Sequence, residues 1–133
     1  MSNKKTFVTE IEVNASPKMI FPYISTVDGL ERWYADSANI TPNNVFEFTW
    51  DDEHYFAKMQ SLKANQMVVF EFLDDEKEEE EDPSILKISI DQNEITNAVY
   101  LVIEDYTDLV DSQAEFQELW EGLVSDLKEI IGA

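Results

Sequence analysis

Apolar and polar residues alternate from Thr6 to Val13, with Phe7, Thr9, Ile11 and Val13 on one side and Thr6, Val8, Glu10 and Glu12 on the other. Successive side chains of a strand point to opposite faces, so this segment is predicted as a first strand. The pattern breaks at Asn14-Ala-Ser-Pro17. Ser16 is placed to cap a helix, and Pro17 to open it where its missing N–H has no partner to lose. A short helix is expected through Met19, Ile20, Tyr23 and Ile24, kinked or shortened by Pro22. Thr26 caps a second short helix through Leu30, Trp33 and Tyr34.

Asn39 to Asn44 is turn-rich. From Val45 to Trp50 alternation resumes, with Phe46, Phe48 and Trp50 inward and Glu47 and Thr49 outward. Asp51-Asp52 marks a turn, and Glu53 to Leu62 reads as the returning strand of a hairpin. Further strands are predicted at Met67 to Leu73, at Ile85 to Asp91 and at Ala98 to Tyr106, the last around Val99, Leu101 and Ile103. Their short polar connectors imply antiparallel pairing. At Asp111 to Ile131 the apolar period changes from two to three and four: Phe116, Leu119, Trp120, Leu123, Leu127 and Ile130 share one helical stripe. Asp111 or Ser112 caps this helix and Gly132 ends it. The fold class is therefore α+β, a single domain over residues 1–133 with one core.

Composition refines this picture. A hydrophobic fraction of 44% with 12% aromatic residues suffices for a globular core. Against 29 acidic residues stand 9 basic ones, a formal charge of -20. Such a field repels phosphate backbones and anionic lipid, which argues against nucleic acid and membrane and leaves a solubilising surface or a basic protein partner. The chain has no cysteine, so disulfides, thiolate metal sites and thiol nucleophiles are excluded. No apolar run reaches bilayer length and the start leads straight into a strand, so a cytoplasmic monomer without a secretory signal is expected.

Between two strands, Asp74 to Asp82 holds eight acids and one lysine. Self-repulsion makes it a mobile, solvated loop tip, and it lacks the interspersed Gly and Asn with which calcium loops turn around their ion, so no metal is expected. His54 is the only histidine and sits at a hairpin end beside acids. The glycines stand alone at Gly29, Gly122 and Gly132, which leaves no phosphate loop. No cofactor and no catalytic residue are assigned; Asp105, His54 and Tyr106 are the polar residues to test for catalysis.

The order strand, two short helices, six-stranded meander and long helix accompanies four segments: Glu12-Val-Asn-Ala-Ser-Pro17, Asp28-Gly-Leu-Glu-Arg-Trp33, Phe48-Thr-Trp-Asp-Asp52 and Glu118-Leu-Trp-Glu-Gly-Leu-Val-Ser-Asp-Leu-Lys128. Together they resemble the START-like superfamily, in its branch related to the C-terminal domain of the activator of Hsp90 ATPase, and most of all its small stand-alone bacterial members. The resemblance implies the helix-grip fold, a curved antiparallel sheet around the long helix, with a cavity between them that often holds an apolar small molecule. Superfamily members carry lipids or sterols, bind hormones, cyclise polyketides or modulate chaperones, so fold alone does not fix function. The long acidic loop and the lack of glycines between strands depart from the pattern.

Trp33, Phe46, Phe48, Trp50, Met59, Phe70, Phe72, Leu101, Ile103, Phe116, Leu119, Trp120 and Leu123 are expected to face the space between sheet and helix. Polar atoms of Trp50, Tyr55 or Trp120 would orient an occupant. The leading expectation is non-catalytic binding of a small apolar or amphipathic molecule there. The alternatives are an acidic, chaperone-activator-like interaction module with a closed core, and a cyclase-like or hydrolase enzyme. A void of roughly 300 Å³ or more would mark the first, and close packing the second.

Overall fold

The alternating segments assemble into one curved sheet. The computed structural model describes residues 3–133. Its elements are β1 (Lys5–Glu12), α1 (Pro17–Ser25), α2 (Val27–Leu30), β2 (Ser37–Ile40), β3 (Val45–Trp50), β4 (Glu53–Lys63), β5 (Met67–Phe72), β6 (Ile85–Gln92), β7 (Val99–Thr107) and α3 (Gln113–Ile131). The seven strands lie in the order β1-β7-β6-β5-β4-β3-β2, and every neighbouring pair is antiparallel. The helices pack on the inner face of this open sheet, with α3 against β1 and α1 against β5 and β6. This is the helix-grip architecture.

Local chemistry sets most boundaries. The Ser16 hydroxyl accepts from the Met19 amide at 3.2 Å, and the Thr26 hydroxyl accepts from the Gly29 amide at 3.0 Å. Asp51 and Asp52 both take positive φ, 50° and 65°, which matches a two-residue hairpin loop to the twist of β3 and β4. Gly29 lies so close to α1 that a Cβ would stand 2.2 Å from the Pro22 carbonyl oxygen. At the end of α3, Gly132 takes φ 74°.

Two expectations need correction. Part of the segment read as turn is the edge strand β2, whose Asn39 and Ile40 pair with Glu47 and Phe46; only residues 41–44 turn, around Asn44 at φ 61°. The second helix ends at Leu30, and Trp33 and Tyr34 occupy the turn after it. The first helix runs as expected through Ile24, to Ser25, with Pro22 inside it; a proline forfeits one amide bond and the rest of this short helix persists.

The core is closed by aromatic packing. Phe7 stacks on Phe116 at 5.3 Å between ring centres. Tyr34 lies edge-on to Phe48 at 5.1 Å and to Trp50 at 4.9 Å, and stacks on Trp120 at 5.8 Å. Phe70 meets Phe46 and Phe48 edge-on. From α3 the buried residues are Phe116, Trp120, Val124 and Leu127. Leu119, expected inside, is 48% exposed and Ile130 is 38% exposed. At about 100° per residue, Leu119 lies roughly a quarter-turn from the centre of the buried face, and Val124, on the opposite flank of that face, is buried instead.

Candidate functional site

One end of the grip is left open. Beside the β3–β4 turn a cavity of about 350 Å³ is bounded by strand residues, the acidic loop and the β7–α3 connection. Its strand-borne lining is Tyr55 of β4, Phe72 of β5, and Asp105 and Thr107 of β7. Tyr34 and Trp50 form a wall, fixed because the Trp50 Nε1–H donates to the Tyr34 carbonyl at 2.7 Å. Leu73, Asp74, Asp75, Glu80 and Ser84 between β5 and β6 complete the lining with Lys4, Asp108 and Leu109. Among the described residues lining it, none comes from α3.

Asp105 is there because β7 alternates. Val99, Leu101, Ile103 and Thr107 of the same row are buried, so the carboxyl at position 105 also points inward. No side-chain hydrogen bond from the described residues reaches it. Burial pushes the carboxyl up to about 7 from its ordinary 3.8. The Tyr34 phenol is held well above its usual range, by burial first and then by the charge on Asp105.

The acidic loop is solvated, with residues 75–81 exposed, and it carries several polar contacts. The Asp74 carboxylate accepts from the amides of Glu76 and Glu78, each at 2.9 Å. Lys4 contacts Glu80 at 3.8 Å and donates to the Asp82 carbonyl, Lys58 pairs with Glu79, and the Lys77 ammonium lies 5.0 Å from the centre of the Phe56 ring. The Tyr106 hydroxyl donates to the Asp82 carboxylate at 2.9 Å. Cations and one phenol therefore offset the self-repulsion.

The family model of the START-like superfamily domain matches residues 1–133. The chain belongs to the START-like superfamily. Among solved structures it is similar to the Aha1 dimer from Colwellia psychrerythraea, with TM-score 0.73 and 17% identity over 96% of each chain. A Bacteroides fragilis protein solved by NMR shares 29% identity over 97% of this chain and 92% of its own, with TM-score 0.60. DynU16, of the dynemicin biosynthetic locus, has TM-score 0.71 at 9% identity, covering 96% of this chain and 47% of its own. No curated protein matches. Among the described residues no helix is long and apolar enough to cross a membrane.

Within this START-like fold the expected lining residues separate. Trp50 and Phe72 border the cavity. Trp33, Phe46, Phe48, Phe70, Leu101, Ile103, Phe116 and Trp120 are buried in the core, Met59 and Leu123 are half-buried against it, and Leu119 faces solvent. The Trp50 N–H is taken by Tyr34 and the Tyr55 hydroxyl donates to Glu53 at 2.9 Å, whereas the buried Trp120 N–H has no partner among the described residues. Of the polar candidates only Asp105 lines the cavity. His54 lies on the other face of β4, 2.9 Å from Glu47 and 3.1 Å from Thr49, and Tyr106 points outward to Asp82. Tyr34, Ser84, Thr107 and Leu109 line the cavity without having been expected to; the one sequence signal for it was an acid in the apolar row of β7.

Proposed function

We propose that the chain binds a small apolar or amphipathic molecule, without turning it over, in the cavity beside Trp50, Phe72 and Asp105. The observation that carries this is the cavity itself: about 350 Å³ stays open in a molecule whose centre is closed ring against ring. That volume falls in the lower range of small-molecule pockets, roughly 300–1,000 Å³. Superfamily members bind hydrophobic ligands or act as cyclases, which supports a ligand site on this fold. Binding rather than turnover is favoured because Asp105 is the one carboxyl that the strands turn into the cavity and the other lining acids belong to the loop and the β7–α3 connection, while the single histidine lies on the opposite face of β4. Titration of the full chain with fatty acids, sterols and aromatic metabolites, followed by tryptophan fluorescence, tests it. Saturable changes that disappear in Ser84→Phe, a substitution that fills the cavity, are expected; no saturable change, or binding indifferent to that substitution, would contradict the reading.

A second reading, an acidic protein-interaction module, draws on the closed centre and the charge of -20. Its mark would be a basic protein partner whose binding collapses at high salt and is untouched by Ser84→Phe.

A further inference from the structure

Apart from Lys4, the cavity's charged groups are all acids. Tyr34 is 6% exposed, its ring held by Phe48, Trp50 and Trp120, and its hydroxyl has no hydrogen bond among the described residues. It lines the same space as Asp105, whose carboxyl is likewise without a hydrogen bond from those residues. The Tyr34 hydroxyl and the Asp105 carboxyl thus border one cavity, together with the rings of Trp50, Tyr55 and Phe72. Ring faces carry negative electrostatic potential and attract cations.

We propose that this cavity selects a small organic cation, a protonated amine on an apolar or aromatic body, with its ammonium group on Asp105 and Tyr34 and its body against Trp50 and Phe72. The proposal rests on the reading of the cavity as a ligand site and adds the ligand's charge. An ammonium brings donors to both oxygens, whereas a hydrocarbon would cover Asp105 and leave it unpaired. An anion would meet Asp105, Asp74, Asp75, Glu80 and Asp108 in a molecule of net charge -20. Lys4 is the lining cation, and it is engaged by Glu80 and the Asp82 carbonyl.

A pH signature follows. The groups facing Asp105 are Tyr34 after α2, Tyr55 on β4, the three loop acids, Asp108 after β7 and Lys4 before β1. With its carboxyl pushed up to about 7 by burial, Asp105 is substantially protonated at neutral pH and must ionise to hold an ammonium. Binding then releases a proton, and affinity rises with pH through 7 for as long as the amine stays protonated.

The test uses the full chain and three probes of similar shape: 2-phenylethylamine, 2-phenylethanol and 3-phenylpropionate, titrated by calorimetry from pH 6 to 8. The amine is expected to bind about tenfold or more tighter than the alcohol, and the acid weakest. Asp105→Asn should cost the amine about tenfold, flatten its pH dependence and spare the alcohol. Tyr34→Phe, which keeps the ring, should weaken the amine severalfold and provides a second reading of the site. Equal binding of amine and alcohol, or preference for the acid, overturns the cation inference while leaving the cavity a ligand site. Absence of binding by all three also overturns it, and the cavity reading then stands or falls separately on the fatty-acid and sterol titration with Ser84→Phe.

Discussion

At the scale of single residues, two glycines sit in helices with opposite surroundings. The Cβ that an alanine would add at Gly29 meets backbone, 2.2 Å from the Pro22 oxygen and 2.6 Å from the Tyr23 Cα, and backbone cannot step aside cheaply. Gly29→Ala is expected to destabilise the fold by on the order of 3 kcal/mol or more. At Gly122, inside α3, nothing lies within 4 Å, and Gly122→Ala should stabilise by about 0.5–1 kcal/mol because it narrows the unfolded chain's freedom. Thermal denaturation of the two variants separates these outcomes. Asp105 offers a second test. Its folded carboxyl titrates near 7 against 3.8 ordinarily, so the native state holds a proton that the unfolded chain gives up between those values. The stability associated with that proton is fully present below about pH 4 and is lost as pH rises through 7. Asp105→Asn should therefore be more stable than the parent by on the order of 2 kcal/mol at pH 8, with the advantage gone at pH 4. A difference in melting temperature that does not change with pH would contradict the buried position of this carboxyl. The residue was legible in the sequence as an acid in an apolar row; that it faces an open cavity was not, because Tyr34, Phe72 and Leu109 reach the same place from distant segments.

At the scale of elements, strict alternation made most of the strands readable, and the shift of period made α3 readable to within two residues at its start. The orientation of α3 was less so. A stripe wide enough to hold Leu119 and Ile130 with Phe116 and Trp120 does not reveal its own centre, and packing on the sheet centred it toward Val124. β2 was hidden because Asn39 and the Pro42-Asn43-Asn44 run favour turns, and its strand form comes from pairing with β3. The contacts of the acidic loop were equally hidden, since Lys4 and Lys58 are far from it along the chain. Removing the chain from Asp111 onward takes away Phe116, Trp120, Val124 and Leu127, the α3 side of the core. The remainder is expected to lose its cooperative melting transition and near-ultraviolet circular dichroism. A truncated chain that still melted cooperatively would mean that the sheet does not need its grip.

At the scale of the whole molecule, the fold follows from patterns repeated along the chain, each strand contributing a row to one shared core. A cavity repeats nothing. It is space left where the hairpin turn, the acidic loop and the β7–α3 connection fail to meet, and the sequence-based expectation set it instead under α3, where Tyr34, Phe48 and Trp120 fill the volume. The proposed function is therefore binding at the rim, the open, acid-and-aromatic end of a START-like chain with a closed centre. Two-dimensional NMR of the labelled full chain, titrated with apolar and amphipathic small molecules, tests this most directly. Saturable shifts gathered on the Trp50 indole and on the amides of Tyr55, Phe72, Ser84 and Thr107, with Phe46, Phe70 and Leu101 unmoved, are the predicted result. Saturable shifts centred on α3 or on the outer face of the sheet, or none at all, would contradict it.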